Sequence, residues 1–168
     1  MNDLNCPVCG TRGRKVESVT VESLATEAAL ADLATTNGFA YCPAARCDVV
    51  WFHPGSGRTL GRADCRVRVG MKETAPPRPV CYCFEHTIEE LEAEIATTGQ
   101  TDIPAEIAAK CRRGLDRCRE TNPQGSCCLG NINQVVKALA PGPQAGPFTT
   151  IEEGDDCRHP DTGACDLD

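Results

Sequence analysis

An α+β chain in two small parts is what this sequence predicts, a mixed N-terminal module followed by a mainly helical one. Three observations carry that expectation. Aromatic residues make up only 4% of the 168 residues, beside 12 Pro and 15 Gly, so bulky side chains supply little buried area. Thirteen residues are cysteine, far above an ordinary intracellular level, and small domains with thin cores rely on disulfides or metals. Short aromatic and β-branched runs dominate the first 70 residues, whereas helical spacing with a clear cap dominates after residue 81.

The first part, residues 1–73, opens on a Cys-rich turn. Val21, Leu24, Ala28, Ala31 and Leu33 then fall at mostly helical intervals over residues 20–36, which fits one helix or two short ones before Gly38. Phe39-Ala40-Tyr41 and Asp48-Val49-Val50-Trp51-Phe52 read as strands, and the alternation of Arg66-Val67-Arg68-Val69 predicts a third. Residues 74–80, with three prolines in four positions at Pro76, Pro77 and Pro79, are expected to form an extended spacer.

The second part, residues 81–140, is read as helical. Thr87-Ile88-Glu89-Glu90 has the form of a capping box, and Ile88, Leu91 and Ile95 repeat on one face until Gly99. A second helix is expected from Asp102, with Pro104 in its first turn and Ile103, Ile107, Cys111 and Leu115 on its apolar side. Asn122-Pro123-Gln124-Gly125 is a turn signal, and a last helix spans about 128–139. Residues 141–168 are rich in Pro, Gly and acid and are read as a flexible acidic Cys-containing tail.

Composition narrows the function. A net charge of −7 argues against general nucleic-acid binding, which needs clustered Lys and Arg; Cys111-Arg112-Arg113 reads as a solvated helix face. No stretch approaches the roughly 20 apolar residues of a membrane span, and the polar start MNDLNCPVCG does not resemble a secretion signal, so a cytoplasmic location is expected. In a reducing compartment such cysteine density reads as metal binding.

Two constellations stand out. Cys6-Pro7-Val8-Cys9-Gly10 is a C-x-x-C-G knuckle, and Cys42 with Cys47, at the junction of two expected strands, can complete a tetrahedron. Four sulfurs without a vacant position describe structural zinc; His53 replacing one sulfur is the alternative. The second constellation is Cys81-Tyr82-Cys83, with Cys118 and one of the neighbours Cys127 and Cys128. A C-x-C suits a [2Fe–2S] cluster better than a zinc knuckle, and Cys128 at a helix start would place N–H groups near an anionic cluster. A second zinc, or thiols packed as small hydrophobes, stays open on spacing alone.

Taken together, CPVCG, YCPAARCDVVWF, VCYCF and NPQGSCCLGN resemble the N-terminal domain of the copper chaperone CopZ family, over about residues 6–139. The resemblance implies zinc on Cys6, Cys9, Cys42 and Cys47. It also implies a second half similar to bacterioferritin-associated ferredoxin, with a [2Fe–2S] cluster on Cys81, Cys83, Cys118 and Cys128, and Cys127 as alternate. The M-x-C-x-x-C copper loop of the full-length chaperones does not follow Met71 or occur elsewhere in this sequence.

Cys65 and Cys111 are expected to be packed. Cys157, His159 and Cys165 offer two thiols and an imidazole that suit a soft ion such as Cu(I). His86, close to the C-x-C, is read as a helix-start residue that can also tune the cluster. With no catalytic Ser/His/Asp set or phosphate loop, the expectation is a non-enzymatic redox and metal-trafficking protein that assists copper handling by reducing Cu(II) to Cu(I). Its partner would be a copper-transporting ATPase or other metal-handling protein, or an electron-transfer partner. The alternatives are a small electron-transfer or iron-handling ferredoxin and a zinc-only interaction module.

Overall fold

The structure, a computed structural model, describes residues 4–140. Its first half is a four-stranded antiparallel sheet in the order β1-β2-β3-β4, made of Arg14–Lys15, Ala40–Tyr41, Val49–Phe52 and Thr59–Gly61. The central strand β3 is buried along its whole length, because it has a core on each face. Val50 and Trp51 belong to the cluster with Val21, Leu24, Phe39 and Leu60, while Val49 and Phe52 pack with Ala40 and the cysteines of the first constellation. A register irregularity between Val49 and Trp51, where β3 meets β4, redistributes the side chains between the two faces.

The expected helix over 20–36 is two short ones, α1 at Ser18–Leu24 and α2 at Glu27–Ala31. Thr26 separates them: its backbone is extended and its hydroxyl accepts the N–H of Ala29, so it caps α2 and cannot also continue α1. The break rotates the apolar face, burying Ala29 while Ala28 and Ala31 are exposed.

No strand forms over residues 66–69. The alternation is real, since Val69 is buried, Val67 is half-buried, and both arginines are exposed, but no strand lies alongside. Arg66 N–H instead bonds Leu24 O, Thr26 N–H bonds Asp64 O, and Val69 O accepts the N–H of Lys72 in a 3₁₀ turn. The additional strand is β4, paired with β3 across the turn at residues 53–58, where His53 Nδ1 accepts the N–H groups of Gly55 and Ser56.

The second half begins inside the expected spacer. Pro79–Cys81 is strand β5, paired with β6 at His86–Thr87. Proline is tolerated there as the first residue of a two-stranded ribbon. Helix α3, Ile88–Thr98, starts at the expected capping box, with Thr87 Oγ1 accepting Glu90 N–H and Glu90 Oε2 accepting Thr87 N–H, and stops at left-handed Gly99. Helix α4, Ile103–Arg112, is followed by the short α5, Cys118–Thr121, and by α6, Leu129–Leu139. Leu115 lies beyond the end of α4 and is 49% exposed, so it is not part of the helix face as expected. Val80, Ile88, Leu91, Ile103, Ile107 and Ile132 form the core between these elements.

The two halves are packed together. Trp51, fully buried in the first core, donates its indole N–H to Pro123 O at 2.7 Å, and Thr20 Oγ1 donates to Arg119 O at 2.7 Å. Gly70 has no room for a side chain: a Cβ there would lie 1.8 Å from Pro79 O. Tyr82 closes the same seam, donating to Arg68 O and accepting from Gly70 N–H.

Candidate metal centres

The first centre is built by two chain reversals. Gly10, at φ +72°, permits the turn in which its N–H bonds Cys6 O, and Cys6 N–H bonds Thr11 O. Opposite it, Cys42 N–H bonds Val50 O as β2 ends, and Cys47 N–H bonds Ala44 O before β3 begins. These turns bring the sulfurs of Cys6, Cys9, Cys42 and Cys47 all within 4.8 Å of one another. Cys6 and Cys47 lie 4.0 Å apart, and Cys9 and Cys42 lie 3.6 Å apart. Four thiolates about 2.3 Å from one tetrahedral zinc sit about 3.8 Å from each other, so the cage has zinc's size. His53 is committed to its own turn and to an edge-on contact with Phe39, and is absent from this cage.

The charges are arranged for an anionic centre. Hydrogen bonds from Thr11 draw the exposed Cys9 thiol down to about 6, whereas burial pushes Cys42 up to about 12 and raises Cys47. A metal bound here would have to displace the protons of these buried thiols, so its binding would release protons and strengthen as pH rises. A zinc with four thiolates carries a net charge of −2, and beside it stands a residue that sequence patterning does not single out. Lys72 is only 4% exposed and donates Nζ–H bonds to Ala44 O at 2.7 Å and Cys47 O at 3.1 Å, with its ammonium 5.6 Å from the centre of the Tyr41 ring. Burial lowers its pKa, opposed by the sulfurs of Cys42, Cys47, Cys9 and Cys6.

Cys65 is not part of this centre. Its thiol donates to Gly61 O, and burial pushes it up to about 12, as for a packed, unreactive cysteine.

The second constellation gathers where β5, α5 and α6 meet. Cys83 Sγ lies 3.5 Å from Cys118 Sγ and 3.2 Å from Thr121 Oγ1, and accepts the backbone N–H of Arg117 at 3.2 Å. The Cys118 contact leads these in drawing the Cys83 thiol down to about 6. Cys81 interacts with Cys128, and Cys127 with Cys118, Cys128 and Cys111. The Cys83–Cys118 and Cys81–Cys128 contacts thus run between the C-x-C loop and the distal segment. Amides scaffold that distal loop: Asn122 Nδ2 donates to Ser126 O, Gln124 Nε2 to Cys127 O, and Asn131 Nδ2 to Gln124 Oε1. The expected turn is present, closed by Gly125 N–H to Asn122 O. Cys128 stands at the N-cap of α6, as expected. His86 faces Cys81 across the β5–β6 pair; its Nδ1 lies 3.5 Å from Glu90, and its Nε2 is buried without a hydrogen-bond partner. Cys157, His159 and Cys165 lie outside the described residues.

The sequence and fold comparisons agree with the first centre. Residues 3–66 match the CopZ zinc-binding family, described as a zinc binding domain. Residues 3–66 are thus similar to a CopZ-type zinc-binding domain. The copper chaperone CopZ of Archaeoglobus fulgidus is 31% identical over 132 residues, which cover 79% of this chain and 61% of that protein. The chain therefore spans less than two thirds of the relative's length. The X-ray structure of the Archaeoglobus fulgidus CopZ N-terminal domain aligns with a TM-score of 0.65 at 28% identity, covering 78% of this chain and 96% of that one. A fold shared with CopZ thus extends beyond the zinc-binding domain into the helical half. Among the described residues, no helix is long and apolar enough to cross a membrane.

Proposed function

We propose that this chain is a zinc- and [2Fe–2S]-containing redox and metal-trafficking protein that assists copper handling by one-electron reduction of Cu(II) to Cu(I). The observation that carries the reading is the contact of Cys83 with Cys118, Cys81 with Cys128, and Cys127 with Cys118 and Cys128 beside one amide-scaffolded loop, with the buried His86 Nε2 lacking a hydrogen-bond partner nearby. Cys81, Cys83, Cys118 and Cys128 are assigned as ligands, with Cys127 as alternate. A bound [2Fe–2S] group would supply a one-electron store.

The surrounding residues suit that role. The Arg117 N–H and the N-terminus of α6 are donors that stabilise negative charge on sulfur. Each Cu(II) taking one electron would become Cu(I), a soft ion for which Cys157, His159 and Cys165 are suitable donors. A copper-transporting ATPase or another metal-handling protein is the proposed recipient, by analogy with the copper chaperone relative. Zinc has no open position in this scheme and serves the fold.

The test is anaerobic purification followed by metal and sulfide counts, an absorption spectrum, and stoichiometric titration of the reduced protein with Cu(II). Two irons, two sulfides and one zinc per chain, with one Cu(I) formed per reduced protein, are expected. A colourless protein with two zincs would replace this reading with the zinc-only module. A coloured protein that leaves Cu(II) unreduced would make it a small electron-transfer or iron-handling ferredoxin.

A further inference from the structure

The segment that joins α4 to α5 is basic within an acidic chain. Lys110, Arg112, Arg113, Arg117 and Arg119 are set there against one carboxylate, Asp116, while the net charge of the whole is −7. Lys110, Arg117 and Arg119 pair with Glu106, Glu120 and Glu17. Arg112 and Arg113 are exposed and make no ion pair among the described residues.

The backbone between these arginines is fixed. Gly114, at φ +66°, closes the end of α4: its N–H bonds Cys111 O at 2.8 Å, and Leu115 N–H bonds Lys110 O at 3.2 Å. This is the Schellman pattern of a helix end, in which the residue after the glycine commonly folds an apolar side chain back onto the last turn. Leu115 has no apolar position there to cover. The residue it would meet is Lys110, whose ammonium pairs with Glu106 and lies 4.9 Å from the centre of the Phe84 ring. Leu115 stays 49% exposed, an apolar side chain held out on a hydrogen-bonded backbone and flanked in sequence by Arg113 and Arg117. The loop also borders the second sulfur group, since Arg117 N–H bonds the half-buried Cys83 at 3.2 Å and Lys110 lies over its neighbour Phe84.

We propose that residues 112–117 are the docking face for a protein partner that presents carboxylates around a small apolar hollow, with Leu115 as the anchor and Arg112 and Arg113 as the charges that meet the acids. The face rests on the electron-transfer reading for its purpose only, which is to bring the partner's redox centre beside Cys83. Charge complementarity selects an acidic surface. Exposed charges of this kind set the encounter rate and its salt dependence more than the affinity, which suits a brief contact of small area. The backbone that holds Leu115 spares the ordering cost that a flexible anchor would carry. A phosphate backbone would engage the arginines but has no use for the leucine, so a protein surface fits better than a nucleic acid.

The test is the anisotropy of a short fluorescently labelled peptide of glutamates with one central leucine, titrated with the full chain carrying the metals it is purified with. In low salt the native chain should bind it several-fold more tightly than R112Q/R113Q and than L115S, changes that are all at exposed side chains. R14Q/K15Q removes two positive charges from the exposed strand β1 and should bind as the native chain does. In about 1 M salt, where the screening length is about 3 Å, the native and R112Q/R113Q chains should bind alike. Equal low-salt affinities of the native chain and either variant would overturn the proposal, as would a loss of binding confined to R14Q/K15Q. A single-stranded oligonucleotide of equal charge that binds as tightly as the peptide and ignores L115S would assign the loop to phosphate instead. Peptide binding that falls as the chain is concentrated would assign it to a second copy. The peptide carries no electrons, so a chain found without iron would remove the redox reading and leave the docking face to stand or fall on these affinities.

Discussion

Lys72 shows how one side chain links charge to metal. It is buried, and its ammonium holds the carbonyls of Ala44 and Cys47, the two residues that bound the second zinc-binding turn. Replacing it with methionine keeps the volume but removes a positive charge beside four thiolates and leaves two carbonyls without donors. Hydrogen bonds to charged groups are worth about 1.5–3 kcal/mol, so Lys72→Met should release zinc to a chelator about tenfold faster or more. A metallochromic indicator measures the rate; an unchanged rate would make Lys72 a packing residue alone. The four cysteines were legible in the sequence because zinc ligands come in pairs with short spacings. Lys72 was not, because its contacts are to backbone carbonyls 25 and 28 residues away and leave no local pattern.

Legibility at the element scale followed local chemistry. Helix α3 is where the sequence places it, since the Thr87 cap, the Glu90 return bond and the Gly99 stop are all local interactions. Thr87→Ala should cost about 1 kcal/mol and lower the melting temperature by about 2–4 °C in thermal denaturation of the metal-loaded protein. The strand expected at residues 66–69 failed for a non-local reason. Alternation records which side chains are buried, whereas a strand also needs a partner edge, and these backbone groups are already engaged by α1 and by a 3₁₀ turn. Strand β5 was hidden from the opposite side: Pro79 signals a spacer, yet the ribbon of two short strands accepts it at an end. Helices α1 and α2 were read only to within an alternative because Thr26 suits both a helix interior and a cap, and the cap prevailed.

Across the whole molecule, the division into zinc and helical parts describes the sequence better than the packing. The loop that carries Cys118, Cys127 and Cys128 is anchored on the first half through Pro123 to Trp51 and Arg119 to Thr20. Trp51→Phe keeps an aromatic side chain but removes the N–H and the second ring, leaving the Pro123 carbonyl buried without its donor at a cost of about 1–3 kcal/mol, to which the cavity adds. With the proposed cluster bound, the expected outcome is faster iron loss under mild denaturant than in the native chain, read by absorbance and metal analysis together. Stripping zinc should have the wider effect. The cysteine-lined core with Ala40, Val49 and Phe52 shares β3 with the core around Trp51, so chelation should unfold the first half and loosen the loop that it supports.

The anchoring of Pro123 on Trp51 also bears on how the protein is made. Translation makes Cys6 before Cys118, and by the time Cys118 appears the strands that seat the indole have already been synthesised. Zinc captured during translation would therefore build the surface on which the later loop settles, giving the second group of cysteines a preformed support in place of a floppy nascent segment. Zinc-starved cells should then accumulate protein whose loop at residues 118–128 is cut more readily by proteases, so the supply of one metal governs how the second half matures.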